Sequence, residues 1–320
     1  MGVERNQDPI VLPQQQEYKT GIIVRAATKI VRPVLTRGIE LLGAATQVEY
    51  PLDFGDKYIR AIQDSCIPII VTNHTSDFDA VPVAYLARLL TLVANDHLPK
   101  DKQLENFLMI TASSLREGKD RPGGEKILFD AVGPFLDDHN IQPVYVVTRN
   151  DNRRRGMPKN PVEFQTITEA LIETGHHGIF LFPEATTDSG RLDDKGQLRG
   201  MQKFTPFSIS TYMCMIKDLT GRDTVIIPAA ISGGHKVYNH QTHRPSKEAF
   251  LGGLGIADPK IASMQLCDPI RSTDERIAPL IDKTASIRQK YHLERIFAEM
   301  IAEKLEPHER GHIYGKGAIA

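Results

Sequence analysis

No pair of cysteines in this sequence has the C-x-x-C spacing that points to zinc, and the three cysteines present, Cys66, Cys214 and Cys267, stand far apart. An odd number so scattered argues against a disulfide framework and predicts a reducing compartment. A basic excess is missing too. The 39 Lys and Arg residues face 40 Asp and Glu, for a net charge of −1. A nucleic-acid-binding domain ordinarily carries such an excess, so no nucleic-acid partner is expected and any anion site must be local. The first residues, MGVERNQDPIVLPQQQEYK, lack the apolar run of a secretory signal. No stretch approaches the ~18 consecutive apolar residues of a bilayer-spanning helix. Internal repeats and low-complexity blocks are absent as well. The expectation is a cytoplasmic protein, soluble or peripheral at a membrane surface.

What is present is enough apolar sequence, 41%, for a full-sized core. Residues 1–18 are polar and Gln-rich and read as a tail. From Lys19 to Leu42 the apolar residues fall on one helical stripe, with Pro33 a candidate kink. Short apolar runs then alternate with helical stretches. IPIIVT (67–72) reads as a buried strand, with a helix over 77–90 behind it. FLMIT (107–111) and PVYVVT (143–148) read as strands around a helix at 125–136. A helix near 162–174 leads to the strand GIFLFP (178–183), and a helix near 203–219 leads to TVIIPAAI (224–231). MQLCD (264–268) reads as one more strand, and a helix over 274–305 closes the pattern. This alternation predicts an α/β fold: a largely parallel central sheet flanked by helices, with an N-terminal amphipathic helical segment. Residues 1–45 form that leading segment, and 46–320 the main domain. In such sheets sites gather at the C-terminal ends of the strands.

Four segments at such ends carry chemistry. In VTNHTSDFDA, Val71 to Ala80, a strand ends at Asn73-His74 and a helix starts within a few residues. A histidine there is held by the sheet yet open to a cleft, and suited to take a proton from a hydroxyl. Asp79 follows at H-x-x-x-x-D spacing, within reach of the imidazole if the chain turns into a helix. Asp77 is a rival for that pairing. A bland alternative has Ser76 or Asp77 capping the helix. A metal site would need further His, Cys or carboxylate ligands, and the nearby sequence offers only carboxylates. In VYVVTRNDNRRRG a strand leads to Arg149, whose guanidinium suits bidentate phosphate binding. Arg153, Arg154 and Arg155 read as a solvated loop. In IFLFPEATTDSGRLDDKG a strand ends at Pro183-Glu184. The small and hydroxyl residues beyond it form a turn whose amides can hold an anion. Glu184 would orient another site group or bind a substrate hydroxyl. In VIIPAAISGGHK, a strand carries Pro228, and Gly233-Gly234 read as a flexible link before His235 and Lys236.

Together these segments resemble the glycerolipid acyltransferase family, also called lysophospholipid acyltransferases. Asn73-His74-Thr75-Ser76-Asp77-Phe78-Asp79 is similar to its first motif, N-H-x-x-x-x-D, and Arg149 to the arginine of its second. Phe182-Pro183-Glu184-Ala185-Thr186 resembles its third, F-P-E-G-T, and Val225-Ile226-Ile227-Pro228 its fourth. All four stand in family order. The resemblance implies transfer of a fatty acyl group from acyl-CoA or acyl-carrier protein to a hydroxyl of a glycerol-phosphate or lysophospholipid acceptor in phospholipid biosynthesis. It implies His74 as base, Asp79 as its partner, and no cofactor beyond the thioester co-substrate. It places the acceptor phosphate against Arg149 and the turn of Glu184, Ala185 and Thr186. The sequence departs from the family at two places. Ala185 stands for the family glycine, so a glycine-only turn is excluded. Thr187 stands for an arginine, so one phosphate contact is missing or is supplied by Arg191 or Lys203. An acceptor without phosphate, or a non-catalytic lipid-binding role, are the alternative readings.

The polar face of 19–42 carries Lys19, Arg25, Lys29, Arg32 and Arg37 against Glu40. Basic residues opposite an apolar stripe suit an anionic membrane surface. The alternative is a stripe packed on the main domain, with the charges in water.

Overall fold

A computed structural model of the protein describes residues 46–76, 79–112, 136, 139, 141–146, 176–184, 188–205, 208–239, 244–247, 262–282 and 284–311. The protein is α/β, with a mostly parallel sheet flanked by helices. In chain order the elements are β1 (Thr46–Glu49), α1 (Phe54–Gln63), β2 (Ile67–Thr72), α2 (Ala80–His97), β3 (Asn106–Ala112), β4 (Ile141–Val146) and β5 (His177–Leu181). There follow α3 (Ser208–Thr220), β6 (Thr224–Ser232), α4 (Gly234–Val237), β7 (Tyr238–Asn239), β8 (Arg244–Pro245), β9 (Ala262–Leu266), β10 (Ile270–Arg271), α5 (Ala278–Ile281) and α6 (Ile287–Lys304).

Strands lie in the order β1-β9-β6-β2-β5-β3-β4, and β7 and β8 form a separate small hairpin. The β2·β5, β2·β6, β3·β5, β3·β4 and β1·β9 pairs are parallel. β9 and β10 run antiparallel to β6, β9 along its Ala229–Ser232 end and β10 beside Val225 and Ile226. The two meet β6 on either side of Pro228, which has no N–H to give a ladder; its carbonyl accepts the Cys267 N–H at 2.8 Å. The central strand β2 is IPIIVT, apolar, rich in β-branched residues and buried along its whole length. That composition fits a strand covered on both faces.

Alternation along the strands sends side chains into two core layers. On β6, Val225, Ile227, Ala229 and Ile231 join the layer under α1 and α2, with Tyr58, Leu86 and Leu90. Ile226 and Ala230 join the layer under α3, α5 and α6, with Met213, Leu280, Leu293 and Phe297. Each fully buried large side chain contributes roughly 1.5–3 kcal/mol. Two helices of the second layer are also cross-tied. Glu294 of α6 reaches the start of α3, where its carboxylate accepts from the Ile209 N–H at 2.9 Å, the Ser210 N–H at 3.0 Å and the Ser208 hydroxyl at 3.1 Å.

Several boundaries differ from the sequence expectation. The helix expected over 274–305 is two helices. Asp282 Oδ1 accepts the Thr284 N–H at 2.8 Å and turns the chain, and Ser286 opens α6 with a reciprocal capping box to Gln289. The helix expected over 77–90 begins at Ala80, because the Asp79 carboxylate is turned back onto Thr75 and Ser76, and it runs on to His97, with Leu98 extended before Pro99. The helix expected from 203 starts at Ser208, because Thr205 N–H bonds the Pro183 carbonyl at 2.7 Å instead. The strand expected at 264–268 is Ala262–Leu266, and that expected at 143–148 is Ile141–Val146. β1 and α1 were not expected, although Phe54, Tyr58, Ala61 and Ile62 share one buried helical face. The stretches predicted helical at 19–42 and 162–174, and all but Leu136 of 125–136, lie outside the described residues. Among the described residues, no helix is long and apolar enough to cross a membrane.

Candidate active site

Because β5, β2 and β6 are adjacent and parallel, their C-terminal ends open on one edge. Val71 lies beside Leu181, and Thr72 beside Ala229. The residues just past those ends, Asn73-His74, Phe182 to Glu184 and Ser232 to His235, are therefore brought together although they are far apart in sequence. Asn73 fixes the first of them. Its side-chain amide donates to the Ile231 carbonyl at 2.8 Å, and its Oδ1 accepts the Ile231 N–H at 2.7 Å. This two-way clasp continues the β2·β6 pairing one residue past the strand.

His74 emerges from that clasp with its side chain 17% exposed, and its Nδ1 lies 3.3 Å from Asp79 Oδ2. Asp79 is 1% exposed. Its carboxylate accepts from the Ser76 N–H at 2.8 Å, the Ser76 hydroxyl at 3.0 Å and the Thr75 hydroxyl at 3.1 Å, and also from the Thr75 N–H. The local reason is the turn: six residues separate the strand end at Thr72 from Asp79, and Asp79 N–H closes back on the Ser76 carbonyl at 3.1 Å. The carboxylate is thus a fixed object rather than a mobile side chain. One face of the imidazole is covered by Phe182, with ring centroids 3.9 Å apart and planes 17° from parallel. Phe182 is itself braced edge-on by Phe180 at 4.6 Å. With Nδ1 turned to Asp79, Nε2 is the nitrogen left to meet a substrate.

A second carboxylate holds the main chain of the same residue. Glu184, 4% exposed, accepts the His74 N–H on Oε1 at 2.9 Å and the Gln202 N–H on Oε2 at 2.8 Å. Burial pushes its carboxyl up to about 8, against the opposing pull of the bonds from Gln202 and His74; nearby Asp79 pushes the same way as burial. The Ser189 hydroxyl donates to the His74 carbonyl. Both main-chain groups of His74 are therefore gripped by side chains from the 184–189 segment.

Gly234 closes the other side. A Cβ placed there would stand 2.6 Å from Asp79 Oδ1 and closer still to the Thr75 hydroxyl, so only glycine fits. The Gly233-Gly234 pair is read from sequence as a flexible link; the structure corrects this. Gly233 takes the left-handed turn, φ +76°, and Gly234 is the point of closest backbone approach to the carboxylate.

The structure therefore gathers three of the residues singled out in the sequence: His74, Asp79 and Glu184. Arg191 is exposed two residues beyond Ser189, its carbonyl accepting the Arg199 N–H at 2.8 Å. Lys203 is exposed with its ammonium 5.7 Å over the Tyr291 ring. Arg149, Ala185, Thr186, Thr187 and the rival Asp77 lie outside the described residues. Among the described residues, no group of three or more His, Cys, Asp or Glu side chains is placed to hold a metal ion. No family model matches the chain, and no curated protein matches its sequence. Ser189, Gln202 and Gly234 were not singled out by the sequence reading for these contacts. Nothing local marks them, because each acts on residues more than a hundred positions away or through its main chain alone.

Proposed function

We propose that the protein is a glycerolipid-type O-acyltransferase in which His74 is the general base and Asp79 its partner. The observation that carries this reading is the 3.3 Å approach of His74 Nδ1 to a carboxylate immobilised by the Thr75-Ser76 turn. It is supported by the family-ordered motifs in the sequence. Nε2 takes the proton of the acceptor hydroxyl while the oxygen adds to the thioester carbonyl. Asp79 stabilises the imidazolium and holds the Nδ1–H tautomer. The tetrahedral adduct collapses with loss of the C–S bond, and the proton carried by His74 passes to the departing thiolate. Atoms balance with acyl-CoA or acyl-carrier protein as the sole co-substrate: an ester and a free thiol leave the site. The acceptor is a glycerol-phosphate or lysophospholipid, its phosphate bound through Arg149, Arg191 and the turn of Glu184, Ala185 and Thr186. The enzyme works peripherally at an anionic membrane surface on the cytoplasmic side.

Thr187, where the family has arginine, favours one second reading: transfer to an acceptor without phosphate. Purified protein incubated with labelled acyl-CoA or acyl-carrier protein and a panel of phosphorylated and phosphate-free acceptors separates the two. Formation of an acylated phosphate ester supports the first. A product only from phosphate-free acceptors supports the second, and no ester from any acceptor contradicts both.

A further inference from the structure

Glu309 lies far along the chain from the H-x-x-x-x-D segment and is 3% exposed. Nothing about α/β packing requires a buried carboxylate there. Its oxygens accept the Gly233 N–H at 2.7 Å and the Ser232 hydroxyl, and Oε1 lies 3.6 Å from His235 Nδ1, beyond hydrogen-bond reach. Those are the residues of the turn that lays Gly234 against Thr75 and Asp79. The main chain of the same residue grips the opposite side of the site. The Glu309 carbonyl accepts the Met201 N–H at 2.7 Å. Beside it Gly200 and Gly311, both with positive φ, interlock so closely that a Cβ on Gly200 would stand 2.7 Å from Gly311 Cα. From Gly200 the connection runs through the Ser189 carbonyl, which accepts the Gly200 N–H at 3.0 Å, to the Ser189 hydroxyl on the His74 carbonyl. From Gln202 it runs through Glu184 to the His74 N–H.

We infer that Glu309 is a positioning residue for the His74–Asp79 pair, its side chain holding the turn against Asp79 and its main chain holding the segment that fixes His74. The inference rests on the proposed role of that pair. The segment after α6 is thus a strap across the site, and both halves of the pair lose a support when it is cut. Charge on Glu309 is secondary; what matters is an acceptor on the Gly233 N–H and a partner for the Ser232 hydroxyl. Glutamine supplies both and alanine neither.

The test uses full-length protein with ¹⁵N-labelled histidine. The ¹⁵N shifts of His74, assigned with His74→Ala, report which ring nitrogen carries the proton, with no substrate present. Wild type is expected to show the Nδ1–H tautomer. Glu309→Ala is expected to show a mixture of tautomers and to lose about 10- to 100-fold in kcat with KM little changed, as expected of sub-ångström misplacement. Glu309→Gln should keep the wild-type tautomer and stay within about threefold in kcat, the loss of one acceptor being partial. A Glu309→Ala protein with wild-type His74 shifts would overturn the assignment, as would a Glu309→Gln protein as damaged as Glu309→Ala. If Glu309→Ala does not fold, Ser232→Ala removes one grip instead: displaced His74 shifts support the assignment, and unchanged shifts refute it. Altered shifts in Glu309→Ala, alongside a wild type that transfers no acyl group, would sink the proposed function and leave the positioning role standing.

Discussion

Two carboxylates meet His74, and their environments give them different work. Asp79 meets the ring and is ringed by donors; Glu184 meets the main chain and is starved of solvent. Burial raises the Glu184 carboxyl from 4.5 to about 8. Across that window the folded state holds a proton that the unfolded state has released. This contribution to stability is therefore complete below the unfolded value and is lost as pH rises through the folded one, by at most about 1.4 kcal/mol per pH unit. Glu184→Gln should flatten that loss: the stability gap between wild type and variant, from urea unfolding at pH 5, 6.5 and 8, should shift against wild type as pH rises. A constant gap would contradict the buried-acid account. Asp79→Asn should lower kcat by about 10²–10⁴-fold through loss of tautomer control and charge stabilisation. Asp77→Asn should be milder; the reverse order in steady-state kinetics would reassign the pairing. At this scale the sequence was informative where the interaction is local. The H-x-x-x-x-D spacing spans one turn, so His74 and Asp79 were legible. Ser189 and Gln202 act across more than a hundred residues or through an N–H that every residue type carries, and no pattern announces that.

The helices are set by short-range rules layered on long-range ones. α6 starts at the Ser286–Gln289 capping box and then delivers Glu294 to the first turn of α3. Ser286→Ala should cost about 1 kcal/mol, the usual worth of an exposed N-cap. Glu294→Ala should cost more, about 1–3 kcal/mol for each buried N–H left without a partner at Ile209 and Ser210. Denaturant midpoints give the order directly, and a costlier Ser286→Ala would refute the tertiary cap. Elements of this kind were only half legible. β2 and β6 announce themselves through continuous β-branched apolar runs. The break between α5 and α6 was hidden because the apolar stripe continues across it, although the Ser286-x-x-Gln289 pattern marks where a new helix can begin. The amphipathic α1 was missed for being short and highly charged, its buried face reduced to Phe54, Tyr58, Ala61 and Ile62.

For the whole molecule, the α/β architecture followed from the alternation of runs, since parallel strands need crossovers and a crossover is usually a helix. Which strands would be neighbours did not follow. The placement of β2 between β5 and β6, which makes the site, depends on pairings across more than a hundred residues. The proposal is that Lys19, Arg25, Lys29, Arg32 and Arg37 hold the protein to anionic lipid, each contributing at most about 1 kcal/mol and less at high salt. Wild type should float with anionic vesicles at low salt, and a folded variant with Arg25, Lys29 and Arg32 changed to Glu should not; equal flotation would reject the proposal. In the proposed acyl transfer His74 removes the acceptor proton. Its main-chain bonds to Glu184 and Ser189 survive replacement by alanine, so His74→Ala should keep the wild-type circular dichroism and melting behaviour. The decisive measurement is ester formation by mass spectrometry, with one thioester donor and one acceptor, for wild type and folded His74→Ala side by side. A general base at His74 predicts an acylated product from wild type and at least about a thousandfold less from the variant. Comparable product from both would contradict it.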